Sequence, residues 1–207
     1  MAMRSNELRT ASLFAILYAI AACVYTYVLL FADYNSQFII FSLPILTILI
    51  IIIFLYLKRF LKYYYNYKDK ENFIFFIILL EICHSLFMMI FIHRLHKSDD
   101  YYFVYSSYVA LIVAVLIAFY IVFSVKLYRI GSKYTRFMQL FAVLFIVVSI
   151  YCIFSFLFSL LTEQSLLPSF EYNSSSYMLP SLKAIPIILL PFVYFKSYIA
   201  KKHRFRS

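Results

Sequence analysis

The chain has 207 residues, 65% of them hydrophobic and 14% charged, with a single glycine, no tryptophan and a formal net charge of +10. Soluble domains average about 45–50% apolar residues, so this composition excludes an ordinary water-soluble enzyme or binding module. The excess of basic residues would suit a nucleic-acid partner by number alone, but their placement gives them another role and makes nucleic-acid binding the lesser reading.

Six apolar runs follow one another: Ala11–Phe31, Phe38–Leu57, Phe73–Ile92, Tyr102–Val125, Phe137–Leu161 and Leu182–Ala200. A helix of about 20 apolar residues crosses a hydrocarbon core about 30 Å thick, and each run is near that length. In lipid, a helix is the form in which one segment satisfies its own backbone hydrogen bonds. The expected fold is therefore all-α, a polytopic membrane helical bundle of six transmembrane helices. Residues 1–207 form one integral membrane domain, because the longest connection, Thr162–Ser181, leaves no room for another.

The first run follows Arg4 and Arg9 and carries Ala11, Ala15, Ala19 and Cys23 at four-residue spacing. Residues four apart lie on one helical face, and small side chains there let helix backbones approach closely. Ile20 to Cys23 also resembles a bacterial lipoprotein cleavage box. The hydrophobic residues after Cys23 favour a retained signal-anchor span instead.

The second run contains Pro44, and its helix is expected to continue through the basic and aromatic stretch from Lys58 to Tyr67 before Asp69 and Glu71. Tyr63, Tyr64, Tyr65 and Tyr67 read as headgroup anchors, as do Tyr101, Tyr102, Tyr105 and Tyr108 before the fourth run.

The third run holds Glu81, the one acidic side chain well inside a span. A charge at a helix centre costs about 2.5–3.5 kcal/mol on insertion scales, so it faces a bundle interior or a wet cavity. His84 and Ser85 follow at three and four residues and share its face. Two readings fit: a proton- or cation-handling site with His84 as partner, or a protonated Glu81 that fixes packing by bonding His84 or a Ser or Tyr of another helix. Glu81 and His84 also match half of a carboxylate-bridged di-metal site, but the further carboxylates that such a site needs are lacking, and no metal or cofactor is expected. His93 and His96, with Asp99 and Asp100, read as a solvated external end. Ser85 beside His84 is too little for a hydrolase, which needs a nucleophile, base and orienting group together; no catalytic residue is assigned and no enzyme is expected.

The fourth run carries a second small-residue stripe, Ser106, Ala110, Ala114 and Ala118, and the fifth a looser one of Ser149, Cys152, Ser155 and Ser159. These stripes are expected to be packing seams, within the bundle or between protomers. Cys23, Cys83 and Cys152 all lie in spans and read as small packing residues rather than as a disulfide framework. Asn173 opens the only Asn-x-Ser/Thr match, relevant only in a eukaryotic secretory host. In the sixth run Pro186 and Pro191 should kink the helix or free backbone carbonyls.

Sixteen basic residues fall in the N-terminal segment, the second and fourth connections and the tail. Only Arg94, Lys97 and Lys183 fall in the odd-numbered connections. Lys and Arg of short loops stay cytoplasmic, which places both termini inside, most naturally at the plasma (inner) membrane of a bacterium, with anionic lipid against the basic loops. No family resemblance emerges. The expected function is a non-enzymatic accessory or regulatory subunit of a membrane-associated complex, acting on a protein partner or as a homo-oligomer; one concrete form is a bacterial defence-system accessory. The alternative is a small transporter or channel using Glu81 and His84.

Overall fold

A computed structural model describes residues 5–31, 36–67, 72–95, 102–131, 136–163 and 174–204. They form seven helices: α1 (Ser5–Phe31), α2 (Ser36–Tyr65), α3 (Phe73–Leu95), α4 (Tyr102–Gly131), α5 (Arg136–Glu163), α6 (Ser174–Ile187) and α7 (Leu190–Arg204), with no strand among the described residues. Six spans are long and apolar enough to cross a membrane, the last made of α6 and α7 together. This is the multi-pass helical bundle expected from the apolar runs.

Neighbours in the chain are neighbours in space. Each of α1 to α5 packs against the next, α5 packs against α6 and α7, and the α6–α7 span closes back onto α1. The spans thus make a ring in which α3 stands opposite α6, and α1 opposite α4.

The burial pattern is that of a protein whose outer solvent is hydrocarbon. On α3, Ile74, Ile77, Glu81, His84, Ser85 and Met88 are buried, while Phe75, Phe76, Leu79, Ile82, Leu86 and Ile90 are exposed. The buried set recurs at three- and four-residue steps, as one helical face must. All three polar side chains of that helix's middle lie on it, and large apolar groups take the outside.

The α1 seam follows the same rule, with a correction to its register. Ala11, Ala15 and Ala19 are buried, and Ala22 continues the face, whereas Cys23 is exposed. At 3.6 residues per turn, each four-residue step drifts by about 40°, so the fourth member has rotated off the seam. On α4, Val113, Leu116, Ile117, Tyr120, Phe123 and Leu127 are buried, and Ala114 and Ala118 lie exposed. Those two alanines do not pack inside the bundle; the side chains of Ser106 and Ala110 lie outside the described set. On α5, Ser149 and Cys152 are buried, and the Ser149 hydroxyl donates to the Phe145 carbonyl at 2.7 Å.

Helix α2 runs through Pro44 and on to Tyr65, where Asn66 adopts φ 52°, a left-handed value that Asn tolerates at a helix end. Its terminal tyrosines are not simple headgroup anchors. Tyr64 and Tyr65 are buried around Phe60, with ring centroids 4.8 and 5.7 Å away, and the Tyr65 hydroxyl pairs with Ser197 Oγ at 2.9 Å. They tie α2 to α7.

The last span is broken at Ile188 and Leu189. Pro186 and Pro191 lack N–H groups, so the Leu182 and Ile187 carbonyls lose their usual partners four residues on. The Leu189 N–H turns instead to the Pro186 carbonyl at 3.0 Å. His93 has only its backbone described, and His96, Asp99, Asp100 and Asn173 lie outside the described residues.

Candidate functional site

The centre of the ring is occupied by an ion pair. Lys183 Nζ donates to both oxygens of Glu81, at 2.7 and 2.8 Å. The pair bridges opposite spans, α3 and α6, and its partners are 102 residues apart in sequence. Both residues are almost fully buried, Glu81 at 2% and Lys183 at 3% exposure. A third hydrogen bond, donated by the Tyr120 hydroxyl of α4, reaches Glu81 Oε1. A buried carboxylate is tolerable only when paired and hydrogen-bonded, and Glu81 meets both conditions.

Lys183 is therefore not an external loop charge. It sits inside α6, four residues beyond Leu179, where the last span begins. It stands one residue inside the start of the sixth apolar run, and its four-carbon stem lets a cation anchored nearer the membrane edge reach inward. Glu81 lies about 12 Å along α3 from Phe73, near mid-span.

His84 is on the expected face, three residues beyond Glu81, and is 3% exposed. The expected hydrogen bond to Glu81 is not made, because that carboxylate turns to Lys183 and Tyr120. His84 Nε2 has no hydrogen-bond partner among the described residues. An unsatisfied buried polar atom costs about 1–3 kcal/mol, so this nitrogen marks a position at which structure alone leaves energy unrecovered. Ser85 is buried on the same face.

Around the pair lies a small cavity lined by Tyr18 of α1, Thr47 and apolar residues of α2, Glu81 and His84 of α3, and Pro180 and Lys183 of α6. About 10 Å³ of it is open to the centre of a water molecule, close to the room that one water needs.

Flanking contacts hold the lysine's helix in place. The Tyr18 hydroxyl donates to the Pro180 carbonyl at 2.9 Å, and Thr26 Oγ1 bonds Ser181 Oγ, both joining α1 to α6. The Tyr120 ring packs against Phe54 and Phe145, at 6.0 and 5.1 Å between centroids, which orients its hydroxyl toward Glu81. Tyrosine thus supplies the polar handle on an otherwise apolar wall.

Chemically, the cluster can hold a charge pair out of water, exchange a proton between groups of different basicity, or switch by breaking the pair. Among the described residues, no group of three His, Cys, Asp or Glu side chains is arranged to hold a metal ion. Lys183 and Tyr120 are the site residues that the one-dimensional pattern did not single out. No protein-family model matches the chain, and neither a curated protein nor a solved structure is significantly similar to it.

Proposed function

We propose that this chain is a small ion-handling membrane protein of the transporter or channel class, working at Glu81, His84 and Lys183. The observation that carries the reading is the Glu81–Lys183 pair at the middle of the ring, beside an imidazole nitrogen with no partner among the described residues and a water-sized cavity. Packing alone gives a bundle little reason to keep such a pair, since apolar side chains of similar volume often serve a core as well or better. Ionisable residues inside spans are costly, and ion paths and proton relays are the roles in which they recur. The broken sixth span, which carries Lys183, adds a place where its two halves can move separately.

With Lys183 inside the bundle, the external connections keep Arg94 and Lys97 as their basic residues, which strengthens the assignment of both termini to the cytoplasmic side of a cell membrane.

The test is reconstitution into liposomes with ion-sensitive dyes for H⁺, Na⁺ and K⁺. Wild-type protein should move at least one of them faster than protein-free vesicles, and Glu81→Gln, which keeps size and removes charge, should abolish the movement. Wild-type vesicles no leakier than controls to all three would reject the reading.

A second reading is favoured by the exposed alanines of α4, Ala114 and Ala118. Small residues on an outer face admit another helix closely, as an accessory or regulatory subunit of a membrane complex would require. A partner that co-purifies with the wild type and is lost in Ala114→Leu would support that role.

A further inference from the structure

His84 Nε2 and the cavity are two separate observations that point to one occupant. The imidazole is buried, its Nε2 is without a hydrogen-bond partner among the described residues, and it lines the same cavity as Glu81, Lys183, Thr47 and Tyr18. A cavity holds an ordered water when it is polar, has room for one water molecule and offers two to four partners. All three conditions are met. The room is about 10 Å³. Glu81 Oε2 takes a bond from Lys183 alone, whereas Oε1 takes two. Thr47 Oγ1 and the Tyr18 hydroxyl each spend their proton on a backbone carbonyl and keep lone pairs.

We propose that this cavity is a binding site for one water molecule, and that the water joins His84 Nε2 to Glu81 as a proton relay. The proposal rests on the ion-handling reading above and narrows its ion to the proton.

Charge and space both favour the proton over a metal cation. A sodium or potassium ion would have to replace the Lys183 ammonium at Glu81, or sit beside it as a like charge in a low-dielectric interior. It would also need a shell of oxygen donors in a space that takes one water. A proton needs only a continuous row of donors and acceptors.

With imidazolium at His84, the Nε2–H bond breaks and its proton forms a new O–H bond on the water. The water's other O–H breaks, and that proton bonds to Glu81 Oε2. The products are neutral imidazole, an intact water and a neutral Glu81 carboxyl, with Lys183 still an ammonium; the total charge is unchanged. Loss of the carboxylate charge weakens the attraction that holds Lys183, which couples the transfer to a looser tie between α3 and α6.

The groups that face His84 and Glu81 come from four other helices. They are Tyr18 from α1, Thr47 from α2, Tyr120 from α4 and Lys183 from α6.

The experiment uses the full-length protein in liposomes and reads two signals. Solid-state NMR of histidine-labelled protein should show a water contact at the His84 ring nitrogen. Flux assays should show H⁺ movement without Na⁺ or K⁺ movement, falling by about 100-fold in His84→Phe, the order expected for loss of a proton-transfer group. His84→Gln, which can still hydrogen-bond the water but cannot titrate at this pH, should lose H⁺ flux equally, and it stands in if the phenylalanine variant fails to fold. Absence of the water contact overturns the site. Wild-type H⁺ flux in His84→Gln overturns the relay. Na⁺ or K⁺ flux without H⁺ flux overturns the choice of ion and leaves the ion-handling reading intact, whereas no flux of any ion overturns both.

Discussion

Removing Lys183 alone should damage the protein more than removing the whole pair. Lys183→Met keeps most of the side chain's volume but strips Glu81 of two charge-assisted hydrogen bonds, at 2.7 and 2.8 Å. Hydrogen bonds to charged groups contribute about 1.5–3 kcal/mol each. Because the pair's side chains are 4% and 3% exposed, bulk solvent does not compensate the lost ammonium charge. Breaking a buried pair in this way costs about 3–5 kcal/mol, the upper part of which Glu81 can escape by taking up a proton. The double variant Glu81→Leu/Lys183→Met removes both charges, and it should recover at least half of that loss, leaving mainly the unpaired Tyr120 hydroxyl. Reversible unfolding in mixed micelles, followed for the wild type, both single variants and the double variant, closes the cycle. A Lys183→Met cost below about 1 kcal/mol, or a double variant as unstable as the two single losses added, would refute the reasoning.

Ala15, fully buried on α1, should not accept leucine: Ala15→Leu overpacks the α1 seam and should cost about 1–3 kcal/mol in the same unfolding assay. Ala114→Leu, on the exposed face of α4, should stay within about 0.5 kcal/mol of wild type as a monomer. Tyr18→Phe removes the bond to the Pro180 carbonyl and should cost about 0.5–1.5 kcal/mol, with hydrogen exchange rising first in α6. Reporter fusions after Lys133 and Ser207 should read cytoplasmic and one within residues 174–176 external; an external C-terminus would contradict the assigned topology.

The bundle was legible in the sequence because lipid makes length and hydropathy nearly sufficient: five of the six apolar runs lie within single helices of the structure. Glu81 was legible for the same reason, since an acid at mid-span conflicts with everything around it. Its partner was hidden. Lys183 stands near a span's edge between Pro180 and Pro186, where a basic residue reads as a boundary, and the bond that explains it crosses the ring between residues 102 apart. Spacing along α3 put His84 on the right face, yet a shared face does not fix where a carboxylate points. That direction is set by Tyr120 and Lys183, on other helices. The α1 stripe leaves the buried face at Cys23 because four-residue steps outrun the helical turn, and on α4 Ala114 and Ala118 lie on the outer face, where a seam would have to be with another chain.

The most direct measurement of the central claim is the protonation and partnership of Glu81 in a bilayer. Solid-state NMR on protein reconstituted at neutral pH, with labelled glutamate side chains and lysine Nζ, reads both at once. The account predicts an ionised Glu81 carboxylate dipolar-coupled to Lys183 Nζ, with the coupling lost in Lys183→Met and the lysine shielded from exchange with water. A protonated Glu81 without coupling to Lys183, and a lysine that exchanges freely with solvent, would contradict it.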